Sequence, residues 1–153
     1  MQVFQPIPLN LPPAPLKLFR ENGKVFVLDI LRKKKLICTP EEWVRQHWIH
    51  YLIQHKNYPK GLISSENGLI LNGLQKRSDL LVHDKSGEKF ILAEFKRPSV
   101  KISQITYDQI AQYNSIYKIP YLIISNGIDH HLFKIDFEEE SFSRIEELPL
   151  MPV

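Results

Sequence analysis

Three ionisable residues in the middle of the chain have the types and spacing to do chemistry: Asp79, then Glu94 and Lys96 within the stretch LAEFKRP. In a strand, residues i and i+2 face the same side, roughly 7 Å apart. Phe90, Leu92, Glu94 and Lys96 therefore share one face, and Ile91, Ala93 and Phe95 the other. Both faces begin apolar, as in a strand buried between layers. A carboxylate and an ammonium at the end of such a strand are costly to desolvate unless they meet a partner, a metal or a water-filled cleft. A hairpin centred near residues 85 to 87 would bring the preceding strand back alongside, with Asp79 nearly opposite residue 93. Two carboxylates so close repel unless a cation sits between them, and a divalent ion with oxygen ligands, Mg²⁺ or Mn²⁺, suits them. The bland alternative is a same-face surface pair contributing less than about 1 kcal/mol, with Asp79 capping a strand start.

The elements that must hold these residues are legible from turn and cap signals. After a proline-rich arm, KLFRENGKVFVLD offers two β-runs joined at Asn22-Gly23, and the basic cluster Arg32, Lys33, Lys34, Lys35 follows. That cluster suits a solvated loop or protected sheet edge, and also phosphate contact. Thr39-Pro40-Glu41-Glu42 reads as a helix start, with Thr39 as N-cap and Glu42 closing a capping box, for a helix over about residues 40–56. Val44, Trp48, Tyr51 and Leu52 give it one apolar stripe. Further β-runs at GLISSENGLIL, SDLLVHD and KFILAEFK, a second helix over about 103–117, and strands at PYLIISNG and HLFKIDF complete the order. A strand-helix-strand crossover demands a parallel pair and the DKSGE hairpin an antiparallel one. The expected fold is α/β, a mixed sheet flanked by helices in one domain.

Composition bounds the classes. A chain of 153 residues, 43% hydrophobic and 24% charged, builds one core comfortably and not two. The single cysteine, Cys38, excludes an intrachain disulfide and a cysteine-based metal site, so a reducing, cytoplasmic setting is expected. No apolar run approaches the roughly 20 residues that span a bilayer. Residues 138–153 hold Glu138, Glu139, Glu140, Glu146 and Glu147 against Arg144, a local net of −4, which leaves +7 on residues 1–137 of the overall +3. The expected division is a proline-rich arm over 1–16, a folded domain over 17–137 and an acidic tail over 138–153. A basic body favours a polyanionic partner. His83, His130 and His131 lack ligand partners by spacing and fit solvated or supporting roles.

The stretch SDLLVHDKSGEKFILAEFK resembles the PD-(D/E)XK nuclease superfamily, whose motif is an Asp at a strand start and a Glu-x-Lys on the adjoining hairpin strand. With TPEEWVRQ, EFKRP, QIAQY and ISNG, the chain is similar over about residues 25–135 to the N-terminal nuclease domain of type I restriction enzyme R subunits. The resemblance implies a restriction-endonuclease-like sheet and Mg²⁺-dependent hydrolysis of DNA. Asp79 and Glu94 would ligate the ion, Lys96 would orient the attacking water, and Gln109 and Tyr113, matching the family's Gln-x-x-x-Tyr element, would contact the site or the substrate backbone. Glu42 matches the family's first-helix Glu, a further ligand through a second ion or water. Arg32, Lys33, Lys34, Lys35, Arg77 and Arg97 are the candidate phosphate contacts. A homodimer is a further implication, since many hairpin-bearing nucleases cut two strands that way. The alternative is a nucleic-acid-binding or interaction module that keeps the fold without cleaving.

Overall fold

After a segment without regular structure over residues 6–17, which lies on the body, comes a three-stranded meander: β1 (Leu18–Glu21), β2 (Lys24–Asp29) and β3 (Lys34–Ile37). The computed structural model describes residues 6–65, 69–71, 74–76 and 80–152. Asn22 and Gly23 take φ of 52° and 76° between β1 and β2, the left-handed pair that a two-residue hairpin needs and that Asn-Gly supplies cheaply.

Helix α1 (Pro40–Gln54) starts as its sequence signals, with the Thr39 side chain accepting from the Glu42 N–H and Pro40 in the first turn. The capping box does not close, because the Thr39 N–H donates to the Ile37 carbonyl and the Glu42 carboxylate turns along the helix instead. The burial is also wider than a stripe. Val44, Trp48, Ile49 and Leu52 are buried, and so are Arg45, Gln46, His47 and His50.

After β4 (Ile63–Ser64) come a small hairpin of β5 (Leu69–Leu71) and β6 (Leu74–Lys76), then β7 (Leu80–His83), β8 (Lys89–Phe95), α2 (Gln104–Tyr117), β9 (Tyr121–Ser125), β10 (His130–Asp136) and β11 (Ser141–Ile145). The main sheet has six strands in the order β11-β10-β9-β8-β7-β4, with β8 and β9 parallel and the other pairs antiparallel. The chain is thus a mixed α/β single domain, and α2 is the crossover that a parallel pair requires.

The β7–β8 turn is tied by Asp84, whose side chain accepts from the Ser86 and Glu88 N–H groups, while Gly87 takes φ of 84°. Beside it the register slips. His83 pairs with Lys89 but Val82 with Ile91, so Phe90 is an extra, bulged residue. Two expectations change as a result. Ala93 faces Leu80, not Asp79, and Phe90 packs with Ile91, Ala93 and Phe95 in the α1-side core rather than on the face of Leu92.

One core cluster fills the space between α1 and the sheet, through Val44, Trp48, Ile49, Leu52, Leu80, Ile91, Ala93, Phe95 and Ile123. A second lies under α2, through Leu81, Leu92, Ile110, Leu122 and Ile124. Residues 138–153 are not a separate tail: β11 pairs with β10 along its whole length and Leu148 is buried in the first cluster. Three residues apart in β11, Ile145 packs against the first cluster and Phe142 lies on the opposite face of the sheet, and the glutamates fall in the flanking turns. Residues 6–17 carry no regular secondary structure, and Leu9 and Leu11 pack on the core. No helix among the described residues is long and apolar enough to cross a membrane.

Candidate functional site

Strand β8 is exposed at Lys89, buried from Phe90 to Ala93 and again at Phe95, and partly open at Glu94. There the side chains of Glu94 and Lys96 are 27% and 28% exposed, with Lys96 Nζ 3.4 Å from Glu94 Oε1. Same-face spacing puts them together as the sequence implies. Leu92, two residues earlier, packs under α2, so Glu94 emerges on the side of the sheet that α2 covers.

The end of β8 is held from behind. Phe95 stacks on Trp48 with ring centroids 6.1 Å apart, and the Lys96 N–H donates to the Ser125 carbonyl at 2.9 Å. Trp48 Nε1–H and the Gly127 N–H both donate to Ser125 Oγ, at 2.9 Å each. His130 Nε2 lies 2.6 Å from the Asn10 carbonyl, which can only accept, so Nε2 carries the proton and Nδ1 accepts from the Ser125 hydroxyl at 2.7 Å. Ser125 Oγ is saturated and its residue fully buried, so the Ser125–His130 contact is a brace for the strand end, not a nucleophile and its base. His130 thus has a supporting role.

Asp79 and Arg77 lie outside the described residues. Leu80, the next residue after Asp79, opens β7 opposite Ala93, beside Glu94. Gln109 is exposed on α2, where Ile110 and Asn114 turn to the core. Tyr113 falls on the same helix one turn after Gln109, and its side chain lies outside the description. Arg97 is exposed just past β8.

Glu42 is engaged: its Oε2 accepts from Arg45 Nη1 at 2.8 Å and from Gln46 Nε2 at 3.0 Å. Arg45, itself buried, also lies 3.6 Å from Asp29 Oδ2 and donates to Ser65 Oγ. Asp29 is fully buried and accepts from Arg32 Nε at 2.8 Å and the Leu31 N–H at 2.9 Å. Burial pushes the Asp29 carboxyl up, but Arg32, the Leu31 amide and the Arg45 charge outweigh it and hold it below the usual range. Sequence reading missed this buried network. Its signal was Asp29 at the end of an apolar strand, a costly place for an unpaired carboxylate.

The basic cluster divides accordingly. Arg32 is bound to Asp29, and Lys35 pairs with Glu21 at 2.6 Å and lies over the Phe19 ring. Lys33, in a left-handed turn, and Lys34 are exposed.

A family model described as type I restriction enzyme R protein N terminus matches residues 40–149. No curated protein matches the chain. A solved structure, a fragment assigned as an HsdR subunit of a type I restriction enzyme from Vibrio vulnificus YJ016, is similar at 18% identity and a TM-score of 0.40, over 57% of this chain. The match spans 19% of that longer chain.

Proposed function

The chain belongs to the family of type I restriction enzyme R protein N termini, and on that premise we propose that it is a metal-dependent phosphodiesterase module acting on DNA. The observation that carries this proposal is the end of β8, where a carboxylate and an ammonium emerge side by side, partly exposed, after the buried run Phe90–Ala93. Glu94 offers the hard oxygen donors that Mg²⁺ and Mn²⁺ take. Among the described residues no group of three or more His, Cys, Asp or Glu could hold a metal, so the ligand set we propose is Glu94 with Asp79, the residue before Leu80. An ion held there would offset charge on the scissile phosphate and acidify its bound water.

The chain's own residues divide the remaining work. Glu94 would hold the ion, and Lys96, now 3.4 Å from Glu94 Oε1, would orient the attacking water and stabilise the charge that develops on the phosphate. Gln109 and Tyr113 would meet the substrate backbone from α2. Glu42, already holding Arg45 and Gln46, fits a supporting role better than direct ligation. Lys33, Lys34 and Arg97 are the exposed cations suited to phosphate, and a second copy of the chain would present a second site to the other strand. The setting we propose is cytoplasmic.

The test is cleavage of linear, nicked, branched and single-stranded DNA with Mn²⁺. Wild type should cut at least one form, and Lys96→Ala should lower the rate by about 10²-fold or more. Equal cutting by both proteins would refute the assignment. The alternative, a binding module that does not cleave, draws on the direct Glu94–Lys96 pair. It predicts salt-sensitive retardation of intact DNA, and calorimetry showing no Mn²⁺ binding that Asp79→Ala removes.

A further inference from the structure

The two faces of the main sheet are covered unequally. Over the first core cluster close α1, Leu148 and the arm residues Leu9 and Leu11. The other face carries α2. A helix is about 10 Å across and strands lie about 4.8 Å apart, so one helix covers two strands. Leu92, Leu122 and Ile124 place β8 and β9 under α2. Beside it, Phe133 and Ile135 of β10 and Phe142 of β11 form the apolar floor of a groove of about 700 Å³, with Tyr107 and Ile110 as its α2 wall. Phe142 is 72% exposed and Phe137 beside it is exposed too. Apolar side chains gathered in this way mark interaction surfaces.

The charge around this floor selects the partner. Asp108, Asp136 and Glu140 line the groove against Lys118 and Arg144, and Glu138 and Glu139 extend the acidic rim in sequence. An acidic rim repels a phosphate backbone and complements an apolar surface edged with cations. The strip beside α2, formed by β10 and β11, is two strands wide, the width of one helix, and only partly covered, with Phe133 and Ile135 half-buried against the α2-side cluster; helices pack side by side at 8–10 Å.

We propose that the groove between α2 and the β10–β11 edge docks an amphipathic helix of a partner protein, apolar on one face and bordered by lysine or arginine. The helix lies alongside α2, its apolar face on Phe133, Ile135 and Phe142 and its cations against Asp136 and Glu140. The groove lining includes neither Glu94 nor Lys96, and binding here is read without any cleavage.

The experiment measures fluorescence anisotropy of the full chain with a labelled Leu-Lys peptide of helical period, about five turns long, and with a counterpart carrying Glu for every Lys. The Leu-Lys peptide should bind saturably and more weakly as salt rises, and the Leu-Glu peptide should not. Phe142→Asp, at an exposed position and with its fold checked by circular dichroism, should weaken binding roughly ten-fold or more. Ile105→Asp, 69% exposed on α2 and outside the groove lining, should leave it unchanged. Equal binding of the two peptides, or equal loss in the two variants, would overturn the proposal. So would a dimer, seen by sedimentation, that Phe142→Asp dissolves, because the groove would then belong to a second copy.

Discussion

Arg45 shows how much of the site's surroundings rests on single side chains. It is buried between Asp29 and Glu42, and removing it leaves a carboxylate with no exposure short of a partner. Arg45→Met should therefore cost about 3–5 kcal/mol in urea denaturation, whereas Lys35→Ala, which breaks a half-exposed pair with Glu21, should cost less than about 1 kcal/mol. The contrast explains what was legible. Glu94 and Lys96 could be placed because strand parity is strict and local. Arg45, Gln46, His47 and His50 read as an outer helix face, because nothing in helical periodicity says that a second layer will cover them. Glu42 had two readings, cap and ligand, and its carboxylate instead holds Arg45 and Gln46.

At the scale of elements, the loop after β9 joins three parts of the chain. Gly127 takes φ of 88°, and a Cβ there would stand 2.8 Å from Leu9 Cδ2 and 3.1 Å from Val44 Cγ2. The Asn10 N–H donates to its carbonyl at 2.8 Å, and Trp43 Nε1–H donates to the Ile7 carbonyl at 3.0 Å. Gly127→Ala should thus cost more than the roughly 1 kcal/mol of backbone strain alone, and limited proteolysis should cut the arm of the variant faster than that of wild type. The helices, the Asn-Gly hairpin and the crossover were readable from caps and turns. The bulge at Phe90 was not, since a one-residue slip leaves no mark in an apolar run, and it moved the partner of Ala93 from Asp79 to Leu80. Nor did charge composition reveal that the acidic segment ends the main sheet.

For the whole molecule, burial sets the acid side of the stability profile. It lowers the His47 and His50 pKa values, only partly opposed at His47 by its hydrogen bond to the Trp43 carbonyl and reinforced at His50 by His47 and Lys60. Both rings resist protonation in the fold, while the unfolded chain takes up protons near pH 6.5. Stability should be full above that value and fall as pH drops through the lowered folded values. Melting temperatures at a series of pH values should show the decline, and His47→Gln with His50→Gln should flatten it. The clasp of Asn10 on Gly127, Ile128 and His130 bridges chain separations of 118 and 120 residues, and this orders events in time. Residues 6–17 leave the ribosome long before their seat exists, so the arm stays undocked until β9 and β10 have emerged. Its closure is a late, long-range step that waits for β9 and β10 and slows the approach to the native state.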